Sequence, residues 1–199
     1  MTQRFLITAL VFLVFCHSAL AQDNVIGTDQ LRSGLVYGRG YVLAITAPSG
    51  WVLDNSSGTG QGLNAVFYPH GSSWEQSLSV MYVNVVPKKN GASQSLQQIV
   101  YTDLSELKTK SPKLIVTNAD GLLTGAKHQA VVRYLSGTSG GNWEAVAYIN
   151  EKKIVTEIVL SARNQAQFKA SLPVFRQLVG SYHFLTNKVK IMKKRHGTV

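Results

Sequence analysis

Two stretches of this chain repeat their apolar residues at helical spacing, and a long run of strand-like segments joined by short turns lies between them. In Ser93–Lys110 the stripe is Leu96, Ile99, Val100, Leu104 and Leu107. In Gln165–Val179 it is Phe168, Leu172, Phe175 and Val179. Positions at i, i+3 and i+4 share one side of a helix, so each helix has one face to bury, against a sheet. A parallel sheet would need strand and helix to alternate, because each parallel pair requires a crossover connection. Here strand follows strand. The order predicts an α+β fold, an antiparallel β-sheet covered by two main α-helices.

The strands are bounded by turn residues. Tyr41–Ala47 stops at Pro48-Ser49-Gly50, and Trp51 follows as a plug for one end of a core. Asp54–Gly62 has the composition of a loop, Ala65–Tyr68 is a short strand closed by Pro69-His70-Gly71, and Gln76–Val86 is a longer strand ending at Pro87. Ser95 and Gln98 have capping-box spacing at the first helix, whose last turn carries Lys108 and Lys110 before Ser111-Pro112. Leu114–Thr117, with a turn signal at Asp120-Gly121, and Ala126–Leu135 come next. After the Ser136–Gly141 loop, Asn142–Ile149 and Lys153–Leu160 form a hairpin about Asn150-Glu151-Lys152. Asn164 is placed to cap the second helix, which Pro173 should kink or restart. Ser181–Leu185 reads as a short closing strand.

The first 21 residues give an address. Arg4 precedes an apolar run, Leu6–Phe15, and Ala19-Leu20-Ala21 supplies the small residues of a cleavage site before Gln22. That is the pattern of a secretory signal peptide, and the run is shorter than the roughly 20 residues of a spanning helix. Residues 1–21 are thus expected to be removed, leaving a periplasmic or extracellular chain. The single cysteine, Cys16, lies within the leader, and Phe15 before it does not suit a lipoprotein signal. The exported chain then has no thiol for a disulfide, a zinc–thiolate site or a nucleophile. It divides into an arm over 22–40, one domain over 41–186 and a basic tail over 187–199, a length that suits one core without staples. Lys188, Lys190, Lys193, Lys194 and Arg195 crowd that tail with no acid among them, so much of the net charge of +10 is a tail property.

The element order resembles the PsbP-like fold, shared by the extrinsic PsbP protein of photosystem II, a Ran-binding nuclear import factor and bacterial exported proteins. The residues that carry the resemblance are the entry Leu43-Ala44-Ile45-Thr46-Ala47-Pro48-Ser49-Gly50-Trp51, the Gln76–Val86 strand leading to the Ser93–Lys110 helix, and the closing Val179-Gly180-Ser181-Tyr182-His183-Phe184. It spans about Tyr41–Leu185. It implies an α/β/α sandwich serving as an adaptor or binding module, with no shared catalytic residues and no cofactor to carry over. Fold alone does not fix function.

Several side chains are candidates for chemistry. Gly137-Thr138-Ser139-Gly140-Gly141 matches the G-x-S-x-G string of serine hydrolases, which need the serine on a strand-to-helix turn; here it falls between two strands, where a glycine-rich hairpin loop is the simpler reading. His70, His128, His183 and His196 have no partner at metal-ligand spacing, although His70 and Glu75 flank one loop. Asp54, Asp103, Glu106, Asp120, Glu144, Glu151 and Glu157 form no obvious pair. Asp103 and Glu106 read as the solvated side of a helix, and Glu157 as facing water or pairing with Arg133. Trp74, Trp143 and Tyr148 could make a stacking surface for a glycan or peptide, with core plugs as the plainer role. The basic tail could rest on an anionic membrane or other polyanion, or act only as a solubilising terminus. Nucleic acid is not expected without a basic-aromatic module. The expectation is an exported, non-catalytic binding or assembly module whose partner is a protein or envelope component. The alternatives are a secreted serine hydrolase using Ser139 and an envelope-associated protein held by its tail.

Overall fold

The computed structural model of the chain describes residues 33–89 and 93–189. The leader, most of the arm and tail residues Lys190, Lys193, Lys194, Arg195 and His196 lie outside the described residues.

Among the described residues, ten strands and two α-helices make the predicted α+β sandwich. The strands are β1 (Ser33–Gly38), β2 (Tyr41–Thr46), β3 (Trp51–Asp54), β4 (Ala65–Pro69), β5 (Ser79–Pro87), β6 (Ile115–Leu123), β7 (Gln129–Ser136), β8 (Trp143–Asn150), β9 (Ile154–Ala162) and β10 (His183–Thr186). The helices are α1 (Leu96–Lys110) and α2 (Gln165–Gly180). Seven strands form one sheet in the order β3-β4-β5-β9-β8-β7-β6, and three form a second, β1-β2-β10. Every pairing is antiparallel.

The centre is β9, buried along its whole length. Alternation splits its side chains between two faces. Ile158 and Leu160 join the core under α2 with Phe67, Met81, Phe175 and Leu178. Val155 and Val159 join a smaller core under α1 with Ile99, Val100 and Val146. Val36, Tyr41, Leu43 and Ile45 belong to the α2-side core, so the inner face of the three-stranded sheet closes that side.

The capping box holds: Gln98 N donates to Ser95 Oγ at 3.2 Å, and Ser95 N donates to Gln98 Oε1 at 2.9 Å. Asn164 Oδ1 accepts from Gln167 N at 2.9 Å. Pro173 neither ends nor restarts α2, which is assigned as one helix through it; Phe168 and Phe175, both buried, hold the segments on either side to the sheet.

Two expectations are corrected. The arm expected over 22–40 contains β1, which pairs along β2 from Ser33↔Thr46 to Gly38↔Tyr41. Asp120-Gly121 is not a turn: β6 runs through it, with a register shift between Ala119 and Leu122. A Cβ on Gly121 would lie 2.9 Å from the carbonyl oxygen of Ala130, so the irregularity needs glycine there. The Asp54–Gly62 loop is organised by a carboxylate. Asp54 Oδ1 accepts from Ser56 N and Oγ and from Ser57 N, and Oδ2 accepts from Tyr68 Oη at 3.0 Å. Among the described residues no helix is long and apolar enough to cross a membrane.

Candidate functional site

The two faces of the large sheet differ in chemistry. Toward α2 they are almost wholly apolar. Toward α1, alternation puts Tyr82 and Asn84 from β5, Arg133 from β7, Glu144 and Tyr148 from β8, and Glu157 and Ser161 from β9 on one side. The helix adds Asp103, which accepts a hydrogen bond from the hydroxyl of the fully buried Tyr148. Asn84 Nδ2 donates to Glu157 Oε2 at 2.8 Å, and Ser161 Oγ donates to Glu144 Oε1 at 3.0 Å.

Three carboxyls thus share one partly buried zone, and all hold their protons more tightly than usual. Burial, then the Asp103 charge, pushes Glu157 up to about 7 despite the opposing Asn84 bond. Burial also raises Asp103 against the Tyr148 bond, and raises Glu144 against the Ser161 bond. Beside them opens a cleft of about 320 Å³ whose wall includes Asn84, Lys89, Gln94, Asp103, Glu106 and Glu157. Its polar atoms can hold a proton or meet a hydrogen-bond donor, and each buried carboxyl is already engaged between two elements.

These positions overturn two expectations. Asp103 is not on the solvated side of its helix, because Leu96, Val100, Asp103 and Leu107 follow one stripe. Glu157 neither faces water nor pairs with Arg133; it is buried, and Arg133 Nη1 donates to Val132 O instead. The acidic grouping itself escaped the sequence. Its signal is the hairpin register, which sets Glu144 opposite Ser161 and Tyr148 opposite Glu157.

A second polar knot sits at the β8–β9 turn. Glu151, buried, accepts from Tyr182 Oη at 3.3 Å and meets His128 Nδ1 at 3.3 Å. Tyr182 Oη also lies 3.2 Å from Thr156 Oγ1, and burial raises its hydroxyl above the ordinary range. The knot ties the hairpin to the segment entering β10.

The three candidate aromatics do not converge. Tyr148 is fully buried on the α1 side. Trp74 stands edge-on to Tyr82 on that side, with ring centroids 6.1 Å apart. Trp143 is on the α2 side, 6.0 Å from Phe168, in a cleft of about 240 Å³ with Tyr134 and Leu172. No single stacking surface contains them.

Ser139 lies on the loop between β7 and β8, not on a strand-to-helix turn. Its backbone N–H donates to Ser111 Oγ at 2.8 Å. Gly137 has φ +70, and a Cβ there would lie 2.3 Å from the Lys113 carbonyl oxygen. Gly137 and Gly141, both at positive φ, therefore answer to loop geometry, and Gly137 also to close packing. Gly137→Ala is expected to cost roughly 1–3 kcal/mol, and Ser139→Ala to stay within about 0.5 kcal/mol. Urea unfolding of both variants checks this, and equal losses would refute it. Among the described residues no group of three His, Cys, Asp or Glu is arranged to hold a metal ion. His70 is on the β4–β5 loop, where its N–H donates to Gly50 O. Lys188, from the basic tail, is exposed.

No family model matches the sequence, and no curated protein matches it. Solved structures do. The solution structure of cyanobacterial PsbP (CyanoP) from Synechocystis sp. PCC 6803 is similar over 83% of this chain and 99% of its own, at 11% identity and a TM-score of 0.52. The Ran-binding protein Mog1p of Saccharomyces cerevisiae is matched over 77% of this chain and 95% of its own, also at 11% identity, with a TM-score of 0.45. The first likeness shows that the fold is PsbP-like.

Proposed function

We propose that this chain is an exported, non-catalytic binding or assembly module that meets its partner through the outer face of the three-stranded sheet. The observation that carries the reading is the set of large apolar side chains left exposed on that face among the described residues. Cross-strand pairing aligns Leu35 with Ala44 and Tyr37 with Val42 on that face, while Val36, Leu43 and Phe184 point into the core. Leu35 is 55% exposed and Tyr37 66%. Contiguous exposed apolar side chains mark interaction sites.

The PsbP-like architecture supports the same reading by likeness of fold. So does the use made of the interior polar groups: Asp103, Glu144, Glu151 and Glu157 each bond a side chain of another segment. The leader at residues 1–21 is the basis for export.

The direct test is a broad hydrolase panel with the purified chain. No turnover is expected. Robust turnover abolished by Ser139→Ala would replace this reading with that of a secreted serine hydrolase.

A further inference from the structure

We infer that the outer face of the three-stranded sheet docks onto an anionic lipid surface, with Leu35, Tyr37 and Leu185 entering the interface and Arg39 and Lys188 meeting the headgroups. This rests on the binding-module reading and names the partner of the same face.

The face has the chemistry of an interfacial anchor. Leu35 and Tyr37 project from β1, and Leu185, 53% exposed, projects from the register shift in β10. They stand on the two edge strands, with Val42 and Ala44 of β2 between them. A tyrosine beside aliphatic side chains suits the depth at which headgroups meet acyl chains, because its ring is apolar and its hydroxyl polar.

The charged residues on this face's own strands and turn have one sign. Arg39, in the β1–β2 turn, and Lys188, just past β10, are both exposed. Ser33–Leu53 and His183–Val199 contain no aspartate or glutamate. The sequence that follows Leu185 carries Lys188, Lys190, Lys193, Lys194 and Arg195 and no acid. The cations at the strand ends beside Leu35, Tyr37 and Leu185 complement an anionic bilayer, whose surface is attractive to basic residues over about a Debye length.

The test is sedimentation of the chain from Gln22 onward, without the apolar leader, using phosphatidylcholine vesicles and vesicles of equimolar phosphatidylcholine and phosphatidylglycerol. Binding is expected to the anionic vesicles and to weaken with salt. Leu35→Ser/Tyr37→Ser should lower the affinity roughly tenfold or more, since each removes apolar area from the interface. Arg39→Glu/Lys188→Glu should lower it at least as far, while far-UV circular dichroism of both variants stays unchanged. A chain ending at Val189 should bind more weakly but remain sensitive to the two face variants. The inference is overturned if anionic vesicles are not bound, if binding is lost with the tail yet indifferent to the face, or if the face instead buries itself in a concentration-dependent dimer that Leu35→Ser/Tyr37→Ser dissociates. A protein partner lost with Leu35→Ser/Tyr37→Ser, in the absence of vesicle binding, would also overturn it while leaving the binding-module reading standing. Enzymatic turnover would remove that reading whatever the vesicles show.

Discussion

Phe175→Ala is expected to lose about 3–5 kcal/mol of folding stability, a large share of the roughly 5–15 kcal/mol typical of a domain. Phe175 is almost completely buried, and it shares the α2-side core with Met81, Ile158 and Leu160 from the sheet and with Tyr41 and Leu43 from the smaller one. Truncation removes transfer energy and leaves a cavity with three layers around it, none free to collapse without moving the others. The matching change on the other helix, Leu107→Ala, should cost only about 1–2 kcal/mol, because Leu107 is half-buried at the edge of the smaller core. Urea denaturation of the two variants checks the ordering. Equal losses would mean that α1 is held as firmly as α2.

That ordering follows from the two faces. Beneath α1 the sheet presents Asn84, Arg133, Glu144, Tyr148 and Glu157, and only Leu96, Ile99 and Val100, near its N-terminal end, are fully buried. Beneath α2 the burial runs from Phe168 to Val179. A helix lying on polar groups must satisfy each of them or pay their desolvation.

What the sequence made legible is what local rules decide. The helix stripes, the Ser95–Gln98 box and the β8–β9 hairpin depend on near neighbours and were read within a few residues. β1 is not legible in the sequence because its pattern is inverted. Its inward positions include Gly34 and Gly38, where an added Cβ would fall 2.2 Å from a Leu53 side-chain carbon and 2.6 Å from the Tyr41 ring. Its large apolar residues, Leu35 and Tyr37, face outward, so no hydrophobic period points to a core. β6 runs past its expected end because Asp120-Gly121 has turn chemistry but is used as an irregularity within an exposed strand. The acidic zone was invisible for a different reason. It joins residues from α1, β8 and β9, and it requires helix phase and strand register to be known together. The overall layout was within reach because turn residues and stripes set element order; the site was not, because it is a property of pairing.

Raising the pH from 5 to 8 should destabilise this protein, and Glu157→Gln should remove most of that loss. Glu157 holds its proton more tightly folded than unfolded, because burial and the nearby Asp103 charge oppose ionisation. Its contribution is therefore complete below about 4.5 and is lost as the pH rises through about 7. Each tenfold change in proton affinity corresponds to about 1.4 kcal/mol, so the full effect is on the order of 3 kcal/mol. Asp103 and Glu144 are shifted the same way and add to the slope. Asp54 acts in the opposite sense. Burial alone would raise it, but the combined bonds from Ser57 and Ser56 hold it below the usual range, so its contribution is lost only as the medium becomes strongly acidic. Stability should then peak in mildly acid solution. The glutamine amide keeps an oxygen for Asn84 and imitates the protonated acid, so the variant should match the parent at pH 5 and exceed it by roughly 2–3 kcal/mol at pH 8. Urea unfolding at both values decides the matter: a glutamine variant that keeps the parent's pH slope would show that Glu157 is ionised in the folded protein.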